Sequence, residues 1–399
     1  MLPLAIAPIQ ITAYTATTAA GTGLAGLLDA LRDNRSALTA NDFGPEPLPT
    51  WIGRVAGVEQ VVLPKPLASW DCRNNRLAWL GLAADGFIDA VLEARERHGA
   101  GRVAVVLGTS TSSIGATEDA YRALDGDGRF PADNRNPLVH TPHSLANFVQ
   151  EALGLEGPCV TISTACSSSA KVFAAAERML RLGIVDAAVV GGVDTLCGSV
   201  LFGFNALQLV STQRCRPFDA DRDGISIGEA AGFALLERAG RGAFAQLLGY
   251  GESSDAHHMS TPHPEGLGAE RALDDALARA GIDAAEVEHI NLHGTASTKN
   301  DEVEAALVGR RFPATTHASS TKGITGHTLG AAGIVEAAAC LLAIEHGFRP
   351  GIANTRALDP VCGAQVRIEP ATGEVGIALS NSFGFGGNNC VLVFGKAPA

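Results

Sequence analysis

Cys166 stands in Thr164-Ala165-Cys166-Ser167-Ser168-Ser169, between the β-branched run Val160-Thr161-Ile162-Ser163 and an Ala-rich helical run that begins at Ser167. That order predicts a strand, a sharp turn and a helix, which lifts the side chain out of a sheet and sets its sulfur at a helix N-terminus. Free backbone N–H groups and the helix dipole favour a thiolate there, so Cys166 is a candidate nucleophile for thioester chemistry. Taken alone, a cysteine is most often an inert buried side chain, and it is the strand–turn–helix setting and the partner motifs that favour the nucleophile.

Three polar constellations in the second half could complete a site. His293-Gly294-Thr295-Ala296-Ser297-Thr298 directly follows the strand-like His289-Ile290-Asn291-Leu292, a placement that puts side chains at the carboxyl edge of a parallel sheet. Ser320 to Gly330 carries Lys322 and His327, and Asn381 to Asn389 is rich in glycine and phenylalanine. Each segment joins polar groups to glycines that admit close backbone approach. Asp301 and Glu304, three apart on a helix expected from about residue 301 to 309, share one face, although a solvated charged face is the simpler reading of Asp301. Adjacent His257 and His258 beside Asp255 project to opposite sides and lack a further ligand at zinc spacing, so no metal is expected. Gly191-Gly192 lacks the strand-to-helix grammar of a dinucleotide fingerprint.

The elements that must position these groups alternate. Strand-like runs at 102–107, 160–163 and 186–194 are separated by helical runs at 144–153 and 167–182, and the helix 269–280 precedes the strand at 289–292. Short β-branched runs with helices between them predict an α/β chain with a mainly parallel sheet covered on both faces. The second half repeats the theme, and the segment around His293 reads as the counterpart of that around Cys166, which suggests an internal duplication with a joint near Gly240-Arg241-Gly242.

Composition bounds the function. The chain has 399 residues, 46% of them apolar, enough for a large core and two fused halves. A net charge of −12 argues against nucleic-acid or anionic-membrane partners. Eight scattered cysteines without a CxxC pair favour a reducing cytoplasm over a disulfide scaffold. The N-terminus lacks the basic leader of a secretory signal, and Glu336, Glu345 and His346 interrupt the apolar stretch 328–347, which reads as a buried core helix and not as a membrane span.

Thr-Ala-Cys-Ser-Ser-Ser at 164–169, His-Gly-Thr at 293–295, Lys-Gly-x-x-Gly-His at 322–327 and Gly-Phe-Gly-Gly-x-Asn at 384–389 together resemble the β-ketoacyl-acyl-carrier-protein synthases, in that family's order. Arg216-Pro217-Phe218-Asp219 and Ser253 to Met259 agree, so the resemblance spans roughly residues 100 to 395. It implies a thiolase-like fold, a five-layer αβαβα sandwich of two halves at residues 1–245 and 246–399, and a dimer. It implies transfer of an acyl group from a carrier protein to the cysteine, then decarboxylative condensation with a malonyl carrier to a 3-oxoacyl chain two carbons longer. No cofactor is implied beyond the phosphopantetheine on the carrier.

By the same resemblance, Cys166 is the nucleophile, and His293 and His327 are neutral donors to the malonyl thioester oxygen, each oriented by a backbone partner. Lys322 supports them with Glu304 as its carboxylate partner. Backbone N–H groups of Cys166 and Phe385 form a second oxyanion site, Phe385 is a gate, and Phe383 is core packing. Thr295 and Ser297 would bind the pantetheine amides, Ser260 and Thr261 would sit at its entrance, and Glu336 and Asp301 would stand behind the reacting groups. Arg73, Arg76 and Arg214 are the docking cations implied for an acidic carrier.

Some positions depart from the family pattern. Ala296-Ser297 and Asn388-Asn389 replace commoner pairs, and the opening through Ile11 to Thr18 and Thr50 to Val55 is atypical and resembles synthases of aryl polyene clusters. Ser110 to Glu118, matched to the acyl pocket and dimer region, carries small polar residues suited to a rigid or unsaturated chain. The partner is a second copy or a related synthase subunit. The competing reading is a chain-length-factor-like partner subunit, against which the presence of Cys166, His293 and His327 counts.

Overall fold

The computed structural model describes residues 5–238 and 242–398, so the expected joint lies, except for Gly242, outside the described residues. The apolar runs Val103–Gly108 (β2), Ala187–Asp194 (β4) and Ala230–Glu237 (β5) form fully buried strands, joined by the Thr-containing β1 (Ile9–Thr17) and β3 (Cys159–Ile162). The second set comprises β6 (Ala245–Ser254), β7 (His289–Asn291), β8 (His317–Ser319), β9 (Ile377–Gly384) and β10 (Asn388–Lys396). Their spatial order is β3-β2-β4-β5-β1-β6-β10-β9-β7-β8. Counted within each set, the order is the same and mirrored about the β1–β6 pair, in which Ile9–Ile11 meets Ala245–Leu247.

The duplication is therefore real, but its counterparts differ from the expected ones. β3, which leads into Cys166, corresponds to β8, which leads to His327, whereas the loop carrying His293 corresponds to the one after β2. The sheet is also mixed. β2 lies parallel to β3 and β4, and β7 to β8 and β9, but β5, β1, β10 and β6 are antiparallel to their neighbours. Only Phe385–Gly387 separates β9 from β10, too few residues for a parallel crossover.

Helices α1 (Leu24–Arg32), α2 (Arg73–Leu82), α3 (Phe87–His98), α4 (Ile114–Arg122), α5 (Ser144–Leu153), α6 (Ser168–Arg181) and α7 (Gly198–Ala206) belong to the first half. α8 (Leu267–Ala280), α9 (Thr298–Arg311), the single turn α10 (Lys322–Thr325) and α11 (Ala332–His346) belong to the second. α6 and α11 lie between the two five-strand halves of the sheet, where Phe173, Ala174, Ile334 and Leu341 pack with Val106 and Val190 on one side and Leu392 and Phe394 on the other. α2, α3 and α5 cover the outer face of the first half through Leu77, Val91 and Phe148, and α8 and α9 cover that of the second through Leu273, Ala276 and Val308. The layers run αβαβα, as expected, and the apolar stretch 328–347 is the interior helix α11 with the turn before it.

The central helices cross at Gly333, where a Cβ would stand 2.5 Å from the Ala170 nitrogen and 2.8 Å from its Cβ. Those atoms belong to a helix backbone that cannot step aside. Gly333→Ala should cost about 2 kcal/mol or more, in the overpacking range. Gly203→Ala, on α7 with nothing within 4 Å of the added methyl, should be neutral or stabilising. Denaturant midpoints of the two variants check this, and equal midpoints would contradict the packing account.

Candidate active site

Thr164 to Ser168 turn sharply between β3 and α6. Ala165 takes a left-handed φ of 52°, uncommon for a residue with a side chain. The Ser168 hydroxyl holds the turn by accepting the Thr164 N–H at 2.9 Å and donating to the Ala165 carbonyl at 2.5 Å. Cys166, 5% exposed, thus sits one residue ahead of the N-cap of α6. Burial pushes its thiol up to about 11, opposed by the Lys322 charge and the Phe385 N–H. The helix N-terminus does not by itself leave a resting thiolate, contrary to the sequence expectation; the sulfur is a thiol 3.1 Å from His327 Nε2.

His327 is fixed through its backbone, donating its N–H to Ser226 at 2.7 Å and accepting from Gly228 at 2.9 Å. His293 faces it, ring centroids 5.4 Å apart. Burial and the Lys322 charge hold both imidazoles well below the ordinary histidine range, so both are neutral. Lys322 Nζ lies 3.3 Å from His293 Nδ1 and donates to the His293 carbonyl. An ammonium can only donate, so Nδ1 must accept and the His293 proton sits on Nε2. The expected backbone partner of this ring is thus a lysine, and among the described residues His327 Nδ1 has no partner.

Lys322, 2% exposed, forms its ion pair with Glu336 of α11 and not with Glu304. Burial pushes the Glu336 carboxyl up to about 7, while the ammonium pulls it down. Glu304 instead clamps backbone: it accepts the N–H groups of His293 and Gly294, each at 2.8 Å, and the Asn381 amide at 3.0 Å. Asp301 is buried, not solvated. It accepts the N–H groups of Phe218 at 2.8 Å and Ala296 at 3.1 Å, two residues with positive φ.

The Gly-rich loop approaches the nucleophile because Gly384 has no side chain; a Cβ there would lie 3.1 Å from the Cys166 nitrogen. The Phe385 N–H points at the sulfur, and its ring packs on Phe204 of α7 at 5.5 Å. Lys171 of α6 donates to Asn388 Oδ1 at 3.2 Å, a tether at the first residue of the atypical Asn388-Asn389 pair. Asn389 reaches Asp255 at 2.7 Å, so Asp255, read with the histidines as a doubtful metal group, ties this loop to the one carrying Ser260.

Cys166, His293, His327, Phe385, Thr295, Ser297, Ser260 and Thr261 line one cavity of about 310 Å³. Thr295 and Ser297 share a 2.8 Å hydrogen bond there. Phe383 also lines it, 6.0 Å from the His293 ring, which corrects its assignment as core packing alone. Leu207, Leu209 and Ile225 supply an apolar wall that the motifs did not reveal. Donor atoms of Cys166, His293 and His327 lie within 4.8 Å of one another, a geometry open to a soft cation, but the adjacent Lys322 ammonium opposes a second positive charge.

The arginines fare differently. Arg73 is held by Glu59 and by buried Glu229 at 2.6 Å, and Arg76 is bidentate on Asp71 at 2.6 Å. Arg73 is largely buried in its pair with Glu229, whereas the Arg76–Asp71 pair lies at the surface. Arg214 is exposed, its guanidinium 4.4 Å from the Trp51 ring centre.

Because burial raises the Cys166 thiol, it is protonated at neutral pH and its thiolate fraction grows as pH rises. Alkylation by iodoacetamide should accelerate by roughly tenfold per pH unit from about pH 7 to 10. A plateau below about pH 8 would contradict the buried-thiol description.

Residues 75–241 match the family described as Beta-ketoacyl synthase, N-terminal domain, and residues 244–356 match Beta-ketoacyl synthase, C-terminal domain. Nodulation protein E of Rhizobium sp. strain N33 is 34% identical, with 97% of this chain and 98% of that protein covered. The 3-oxoacyl-[acyl-carrier-protein] synthase 2 of Staphylococcus aureus strain COL is 33% identical over 79% of this chain and 80% of its own length. A solved ketosynthase in complex with its chain length factor, from Xenorhabdus doucetiae, superposes with a TM-score of 0.89 at 37% identity, covering 98% of both chains. Cavity, nucleophile elbow and layered fold thus agree with the sequence relatives: the chain belongs to the β-ketoacyl synthase family, and it is a thiolase-like acyltransferase that condenses acyl chains carried on acyl carrier protein.

Proposed function

We propose that Cys166, His293, His327 and Lys322 divide the condensation between them as follows, on carrier-bound intermediates of fatty acid, polyketide or aryl polyene assembly. The observation that carries this reading is the Lys322 contact to His293 Nδ1, because it dictates which ring nitrogen bears the proton. In acyl transfer the Cys166 sulfur attacks the thioester carbonyl and its proton passes to His327 Nε2. The carbonyl oxygen is received by N–H groups of Cys166 and Phe385. The bond to the pantetheine sulfur breaks, and that sulfur takes the proton from His327.

In the second half the malonyl carboxylate leaves as carbon dioxide and its electron pair moves to the enolate. His293 Nε2–H, fixed by Lys322, and His327 Nε2–H stabilise the enolate oxygen. The α-carbon then forms a bond to the cysteinyl carbonyl, and the Cys166 sulfur departs and regains a proton from solvent. His327 must present a lone pair in the first half and a proton in the second. Its unpartnered Nδ1 suits that exchange of tautomers, while His293 is locked.

Thr295, Ser297, Ser260 and Thr261 bind the pantetheine along the cavity, and Arg214 with Lys299, which lines its mouth, receives the acidic carrier. The two halves meet near residue 245, and no resident cofactor takes part. Eight unpaired cysteines suit a cytoplasmic setting. The edge strand β3, with one neighbour and half-buried residues, suits a dimer with a second copy or a related subunit. The chain-length-factor alternative has one observation against it: the nucleophile and both histidines are assembled.

Intact-mass analysis after incubation with acyl-carrier proteins should show an acyl adduct on wild type and none on Cys166→Ala. Malonyl-carrier should then discharge it to a product two carbons longer. A well-folded wild type that takes no adduct from any donor would support the partner-subunit reading instead. In Cys166→Ala, carbon dioxide release from malonyl-carrier should persist, and the His293 and His327 rings should keep the nitrogen NMR shifts of neutral imidazole from about pH 5.5 to 7.5, a range in which Glu336 and not either ring titrates. Imidazolium shifts growing in near the ordinary histidine value would contradict that assignment.

A further inference from the structure

Asp194, the last residue of β4, is fully buried and carries a carboxylate that meets five donor groups. One oxygen accepts the hydroxyls of Thr109 at 2.6 Å and Thr111 at 2.7 Å and the Thr111 N–H at 2.9 Å. The other accepts the N–H groups of Ser110 at 2.8 Å and Gly330 at 2.7 Å. Among the described residues no cation pairs with it. Burial raises its carboxyl, and these donors, which replace a hydration shell, oppose the rise and favour the charged form.

The donors come from two segments that flank the reacting atoms. Gly330 follows His327 by three residues and opens the turn into α11. A Cβ on it would stand 2.5 Å from the Ser110 nitrogen and 2.6 Å from Asp194 Oδ2, so the two segments touch without slack. On the other side, the Thr109 N–H donates to the Ile162 carbonyl at the end of β3. Gly108 lies so close to the start of α6 that a Cβ would stand 2.4 Å from the Ser169 nitrogen. The 109–111 segment is therefore seated on the strand and helix that hold Cys166, and Gly330 on the turn that holds His327.

We propose that Asp194 is a positioning residue: its carboxylate locks the His327 turn to the nucleophile elbow and so places the imidazole that takes the sulfur's proton in acyl transfer and donates to the enolate in decarboxylation. The proposal rests on the catalytic reading above. The charge has a second effect, since Asp194 acts on the Cys166 thiol in the same sense as Glu336 and against Lys322, with neutral His293 and His327 completing the groups around it. A side chain that only filled space would have no such electrostatic signature.

The full chain carrying Asp194→Asn keeps the shape and loses the charge and one acceptor. Carbon dioxide release from malonyl-carrier should fall by about tenfold or more, given how steeply rate depends on placement. The alkylation profile of Cys166 should at the same time move to lower pH, with circular dichroism and thermal midpoint showing folded protein. Thr111→Val, which retains the charge, should lower decarboxylation modestly and leave the alkylation profile in place. Unchanged decarboxylation and alkylation in folded Asp194→Asn would overturn the proposal, and so would a uniform loss of all activities with an unmoved alkylation profile. Should Asp194→Asn not fold, the double variant Thr109→Val with Thr111→Val decides: reduced decarboxylation at an unchanged thermal midpoint supports the proposal, and wild-type rates refute it. If wild-type protein neither loads acyl groups nor decarboxylates malonyl-carrier, the catalytic reading fails, while the alkylation profile still tests the influence of Asp194.

Discussion

A single buried ammonium organises this active site. Lys322 lies on the four-residue turn α10 with almost no access to solvent, and its three donors go to the Glu336 carboxylate, the His293 carbonyl and the His293 ring. Burying an ammonium is costly unless it is paired and fully hydrogen-bonded, and removing one member of such a pair typically costs about 3–5 kcal/mol. That constraint explains why α11, apolar along nearly its whole length, carries one inward carboxylate at Glu336. It also fixes the loop after β7, because the lysine grips that loop by both backbone and side chain.

The other buried carboxylates extend the same logic to the backbone. Glu304 holds the amides of His293 and Gly294, Asp301 holds two left-handed residues in place, and Asp194 joins the loop after β2 to the turn after His327. Each substitutes protein donors for water around an anion. The result is a set of loops without secondary structure of their own that nevertheless present the sulfur and two imidazoles within a few ångströms. The duplicated topology supplies the geometry: β3 with α6 and β8 with α11 occupy equivalent places, so the nucleophile and His327 face each other from matching positions in the two halves.

Much of this was legible in the sequence because the informative signals are local. The strand-turn-helix grammar around Cys166, the β-branched runs and the glycines of the 384–387 loop fix local conformation directly, and the motifs name the histidines and the hydroxyl residues Ser260, Thr261, Thr295 and Ser297 that share one cavity, with Lys322 buried beside His293. What depended on distant partners was not legible. Whether Lys322 takes Glu304 or Glu336 is decided by helix packing, because Glu336 points inward from α11 while Glu304 turns to the backbone. Arg73 looked like a surface cation because its partner Glu229 is 156 residues away. Burial, which overrides the helix dipole at Cys166, is likewise a property of the whole fold. Asp194 offered only one faint sign, a charged residue ending an otherwise apolar strand.

The central claim is that Lys322 fixes the His293 tautomer and so serves decarboxylation above all, its part in acyl transfer being limited to easing ionisation of the Cys166 thiol. The direct test is to measure the two partial reactions separately in folded Lys322→Met. The account predicts that the acyl adduct on Cys166 still forms while carbon dioxide release from malonyl-carrier falls by about a hundredfold or more, the usual loss when an oxyanion donor is removed. Carbon dioxide release at the wild-type rate, or loss of the acyl adduct with decarboxylation intact, would contradict it.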